Sequence, residues 1–128
     1  MKKPFALGAL ALGVLVIVRA RRGWFPVRVE GTSMLPTLRP GDLLAVRRLR
    51  PDEPHRGQLV VVRRGDIEVV KRVGATVDGF ELGEDEYWLL GDNATASTDS
   101  RTTGPVARSE LVGVVGARYK PLRTLRMF

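Results

Sequence analysis

Cysteine is absent from the 128 residues, which excludes disulfides and thiolate metal sites and leaves the redox compartment unread. Histidine occurs once, and a lone imidazole cannot build a metal cluster. That residue, His55, is also the one possible base for a Ser-His-Asp triad. It sits between Pro54 and Arg56 in a charged loop, and no catalytic role is assigned to it. Aromatic residues make up 6% of the chain and are not interleaved with its cations, which argues against a nucleic-acid surface built on base stacking. Acidic residues are outnumbered 14 to 21, so the net charge is +7 and the expected partner is an anionic surface, with lipid headgroups favoured.

Long apolar runs are scarce as well. Pro4 to Val18 carries no charge, between Lys2-Lys3 and Arg19-Ala20-Arg21-Arg22. As a helix it reaches about 22 Å, short of a bilayer core near 30 Å. The basic residues at both ends can snorkel, and Trp24 and Phe25 suit the interface. Val18-Arg19-Ala20 weakly matches a signal-peptide cleavage site, but arginines within and around it argue against cutting. The expectation is a membrane anchor over residues 1–22 and one β-domain over residues 23–128. With both flanks basic, charge leaves the orientation open.

What is present after residue 22 reads as short strands punctuated by glycine and proline. Phe25 to Val29, Leu43 to Arg47, Gln58 to Arg64, Ile67 to Val73, Tyr87 to Leu90 and Val112 to Tyr119 are expected strands. Gly65-Asp66 suits a tight hairpin turn, which accounts for the adhesion-like tripeptide Arg64-Gly65-Asp66. A further short hairpin is expected from Gly74 to Leu82, around Asp78-Gly79. Arg47, Arg48 and Arg50 read as a solvated or lipid-facing edge, and the tail from Lys120 to Phe128 mixes cations with apolar residues suited to headgroups. This pattern predicts a mainly β body, a coiled antiparallel sheet or partly closed barrel.

Two segments carry chemistry. Gly31-Thr32-Ser33-Met34-Leu35-Pro36-Thr37-Leu38, with Gly41-Asp42 behind it, places a serine in a turn. In the strand Ile67 to Val73, alternation puts Ile67, Val69, Lys71 and Val73 on one face, apolar except for the lysine. An amine held among apolar neighbours loses solvation of its charged form, so its pKa falls and it becomes available as a base. A turn serine and a desolvated lysine are the two parts of a Ser-Lys nucleophilic dyad. Taken singly, Ser33 could merely shape a turn and Lys71 could be one solvated cation among many.

Together with Leu59-Val60-Val61-Val62, Val70-Lys71-Arg72-Val73-Gly74, Gly91-Asp92-Asn93-Ala94-Thr95-Ala96-Ser97-Thr98-Asp99-Ser100-Arg101 and Gly104-Pro105-Val106, these segments resemble type I signal peptidases. The resemblance implies a signal peptidase/LexA-like sheet with one N-terminal transmembrane helix. It implies Ser33 as nucleophile, Lys71 as general base, Ser97 orienting the lysine, and Asp99 with Arg101 as an ion pair bracing the loop, Asp92 lying nearby. The position two residues before the nucleophile, where some members carry a hydroxyl, is Gly31, and Ala94 stands where an arginine is frequent. Only a short segment separates Lys71 from Gly91, so the accessory β-domain of larger members is missing.

The implied activity is removal of signal peptides from exported preproteins, after small residues, on the extracytoplasmic side of a membrane. It needs no metal and no organic cofactor; the partners are preprotein signal peptides and membrane lipid, not nucleic acid. Similarity in size to mitochondrial inner-membrane peptidases and to nickel superoxide dismutase maturation proteases admits a dedicated protease for one client. A non-catalytic β-domain binding peptide or lipid is the alternative outside enzymes.

Overall fold

Valine is concentrated in the central strands of this chain, β3 Leu59–Arg64, β4 Ile67–Gly74 and β7 Leu111–Lys120. The computed structural model describes residues 23–77 and 79–128; the expected anchor over residues 1–22 lies outside the described residues. Among these, no helix is long and apolar enough to cross a membrane. Eight strands form one antiparallel sheet: β1 Trp24–Arg28, β2 Leu43–Arg47, β3 Leu59–Arg64, β4 Ile67–Gly74, β5 Glu86–Leu90, β6 Val106–Ala107, β7 Leu111–Lys120 and β8 Arg126–Met127. The order is β1-β2-β7-β3-β4-β5-β6, with β8 also paired to β7. Among the described residues the end strands β1 and β6 do not pair, so the sheet is not closed.

The uninterrupted run Leu59-Val60-Val61-Val62 makes sense here because both faces of β3 are covered. Leu59 and Val61 join Met34, Leu38, Leu44, Val46, Val70 and Val115 in one core. Val60 and Val62 join Val73, Leu89, Val106, Leu111 and Val114 in the other. Each such side chain contributes about 1.5–3 kcal/mol through burial. Leu38, fully buried, ties the Ser33 turn to the first core. Leu38→Ala is therefore expected to cost about 2–5 kcal/mol in urea denaturation. A cost near zero would mean that this turn is not anchored by its leucine.

Gly65-Asp66 forms the two-residue turn between β3 and β4, where Arg64 pairs with Ile67 and Val60 with Lys71. Among the described residues no strands pair within the hairpin expected from Gly74 to Leu82, although the Phe80 N–H donates to the Val77 carbonyl at 3.2 Å. Gly74 pairs directly with Trp88, so β5 is the partner of β4 and the intervening residues are left as its loop. From that loop Phe80 packs against Trp88 of β5, with ring centroids 4.9 Å apart and the planes tilted by 50°. The arginine edge also needs correction. Arg47 is not solvated: it forms a two-pronged pair with Glu53, at 2.6 and 2.8 Å, and Glu53 is buried. Glu53 also accepts from the Arg50 N–H and from Gln58, which fixes the Pro51–Gly57 loop. Arg48 and Arg50 are exposed as expected.

Candidate active site

Lys71 enters the second core from the middle of β4 and is 4% exposed. Alternation along β4 and the cross-strand register give it Val60, Val69 and Val73 as same-face neighbours. Burial is the main cause pushing its pKa below the ordinary lysine value. The Asp99 carboxylate opposes that fall, and the positive charges of Arg64 and Arg101 add to it.

The amine donates to Ser97 Oγ at 2.9 Å, and that hydroxyl in turn donates to Asp99 Oδ2 at 2.8 Å. Asp99 is 1% exposed and collects further donors: the Gly91 N–H at 2.8 Å, the Arg101 N–H at 3.1 Å, and Arg101 Nε at 2.9 Å with its Nη2 beside. Burial pushes the Asp99 carboxyl up, but these donors outweigh it and hold it well below the usual carboxylate range. A carboxyl with a lowered folded-state pKa stabilises the fold at neutral pH and loses that contribution as acid takes the pH below the ordinary range. Asp99 also caps α1, Ser100–Thr103, through the Arg101 N–H. Asp99→Ala strands all these donors, so a loss of about 3 kcal/mol is expected in chemical denaturation. An unchanged unfolding midpoint would sink that assignment.

Ser33 reaches this chain through its backbone. Its carbonyl accepts from the Asn93 N–H at 2.8 Å, and Asn93 Nδ2 donates to the Thr32 carbonyl at 3.1 Å. A Cβ on Gly91 would lie 2.1 Å from Ser97 Oγ and 2.8 Å from the Ser33 carbonyl oxygen, so only glycine lets the turn and the Ser97 loop close on each other. The Ser33 side chain is half-buried and forms no hydrogen bond with Lys71; the lysine's bond goes to Ser97 instead. The Ser33 N–H is uncommitted among the described residues. Gly31 has φ +72, which suits glycine and leaves no hydroxyl at that position.

Sequence reasoning missed the outer brace. Asp92 accepts from Arg72 Nε and Nη2, each at 2.8 Å, and from Thr37 Oγ1 at 2.6 Å. Arg72 alternates with Lys71 onto the opposite face of β4, so one strand positions both the amine and the brace of the serine turn. Arg118 of β7 adds a bond to the Thr37 carbonyl at 3.0 Å. The weak signals were Asp92 beside Gly91 and Arg72 beside Lys71. Ala94 is exposed in a short turn, and the bracing is done by Asn93, Asp92 and Arg101. His55 lies outside the site, exposed, with Nε2 3.4 Å from Asp52. Among the described residues no carboxylate or histidine cluster could hold a metal ion.

A family model described as Peptidase S24-like matches residues 8–115. A mitochondrial inner membrane protease subunit 1 from Xenopus tropicalis is 31% identical over 114 residues, covering 74% of this chain and 68% of that protein.

Proposed function

The chain belongs to the Peptidase S24-like family, and from that premise we propose a membrane-associated serine endopeptidase of the signal-peptidase kind, with Ser33 as nucleophile and Lys71 as general base. The observation that carries the reading is a lysine amine 4% exposed in an apolar core, with Ser97 beside it and the Ser33 turn locked alongside. A neutral amine that gives one N–H to Ser97 keeps its lone pair for another proton. Lys71 takes the Ser33 hydroxyl proton as Oγ attacks the peptide carbonyl. The Ser33 N–H then faces the developing oxyanion. The protonated lysine returns its proton to the departing amine, and water releases the acyl group by the reverse relay. Ser97 keeps the amine pointed, while Asp99 and Arg101 hold Ser97.

The substrate enters as a strand. On the outer side of β4, Arg72, Val73 and Gly74 pair with β5, and among the described residues Ile67 to Val70 have no strand partner there and present a free edge to an extended peptide. Small side chains before the scissile bond suit a site where backbone segments approach as closely as at Gly91. Membrane association is supported by the apolar run from Pro4 to Val18 and by the relative's place in an inner membrane. The exposed tail residues Leu122, Leu125, Met127 and Phe128, among Arg123 and Arg126, fit the same surface. On this reading the substrates are exported preproteins, cut on the extracytoplasmic side.

The full chain in detergent micelles, given a fluorogenic peptide with an Ala-X-Ala motif, is expected to cleave after the second alanine. Mass spectrometry of the products checks the position. An intact peptide under conditions where the chain is folded would overturn the general signal-peptidase reading.

A further inference from the structure

Arg64 ends β3 on the side of the hairpin that carries Lys71. The register sets it across from Ile67, while Val60 lies across from Lys71, so Val60, Val62 and Arg64 share a face with the lysine. Arg63, on the opposite face, has Glu68 at 3.6 Å. The Arg64 side chain has no ion pair or hydrogen bond among the described residues, and its Nε is buried without a partner. Its charge is close enough to Lys71 to contribute to that amine's depressed pKa. A half-buried guanidinium with no carboxylate costs stability unless a ligand supplies one.

The free edge of β4 says where such a ligand arrives. Ile67, opposite Arg64, ends the free edge that starts beside Lys71. A peptide strand laid on that edge advances at the same rise per residue and turns alternate side chains toward the Lys71 face. We propose that Arg64 is a specificity residue that binds a carboxylate side chain of the peptide substrate, about four residues from the scissile bond. The guanidinium fork matches a carboxylate in two bonds, which makes glutamate or aspartate the preferred residue there. The inference rests on Ser33 and Lys71 being the catalytic pair.

The test compares Ala-X-Ala peptides carrying Glu or Gln at successive positions on either side of the bond, with the full chain in detergent micelles. At one position Glu is expected to raise kcat/KM about tenfold over Gln, chiefly through KM. Arg64→Gln should bring that ratio close to one, and Arg64→Glu should favour a Lys peptide instead. A change in Lys71 basicity alone would slow both peptides alike, so the ratio reports contact. Cleavage of the Gln peptides with no Glu preference anywhere, or a preference that survives in Arg64→Gln, would overturn the inference and leave the protease reading standing. Failure to cleave any peptide would overturn both. In Ser33→Ala, fluorescence-anisotropy titrations should show the same Glu preference without turnover, and equal affinities would also overturn it.

Discussion

Replacing Ser33 with alanine is expected to lower kcat for peptide cleavage by about 10⁴–10⁶-fold while leaving thermal unfolding where it was. The two halves of that expectation have separate causes. As the proposed nucleophile Ser33 has no substitute, because neither Ser97, which donates to Asp99, nor water is activated at the same point. Stability is untouched because the Ser33 hydroxyl makes no hydrogen bond among the described residues, and the turn is held by its carbonyl, by Leu38 and by Thr37. Circular dichroism melts alongside single-turnover cleavage separate the two. Substantial residual cleavage in Ser33→Ala would end the assignment.

Lys71→Met is expected to be as damaging to cleavage and, unlike most core substitutions, to stabilise the fold. Methionine fills a similar volume without an amine to desolvate. The sign follows from proton binding. A buried lysine has a lower pKa folded than unfolded, so between that lowered value and its ordinary one near 10.4 the unfolded chain binds more protons. Stability of the natural chain therefore climbs with pH through that interval, and below it the full cost of the buried amine is present. Removing the amine removes the cost at neutral pH and flattens that part of the stability–pH curve. Activity shares the origin: the acid limb of kcat/KM should turn over below the ordinary lysine range, as the neutral amine is exposed to its task. A Lys71→Met chain that melts earlier than the natural one would contradict this account. Lys71→Arg should also be inactive, because a guanidinium keeps its proton near neutral pH.

Much of the scaffold was legible because β-structure writes a short-range pattern. Alternation marked the strand around Lys71 and its apolar face, though Ile67 at the end of that face is 61% exposed beyond the core. The valine run and the Gly65-Asp66 turn were equally plain. What the pattern could not carry were polar partnerships between distant residues. Thr37 with Asp92 and Asn93 with Thr32 join turns far apart in sequence, and each residue alone resembles ordinary loop chemistry. Arg47 looked like part of a charge run because its partner, Glu53, lies in a loop whose path no periodicity sets. The pairing of Arg126 and Met127 with β7 was missed for a related reason: two residues are too few to alternate.

The loop between Gly74 and Glu86 has one more consequence. Its ends are brought together by β4 and β5, whose backbone pairing runs through Gly74 and Trp88. Lengthening a connection closed in this way costs little, since the entropic penalty grows only with the logarithm of its length. This is therefore the natural port for a grafted module: a reporter or a substrate-capturing unit spliced there would ride outside the sheet, leaving Lys71 and the Ser33 turn on their original footing.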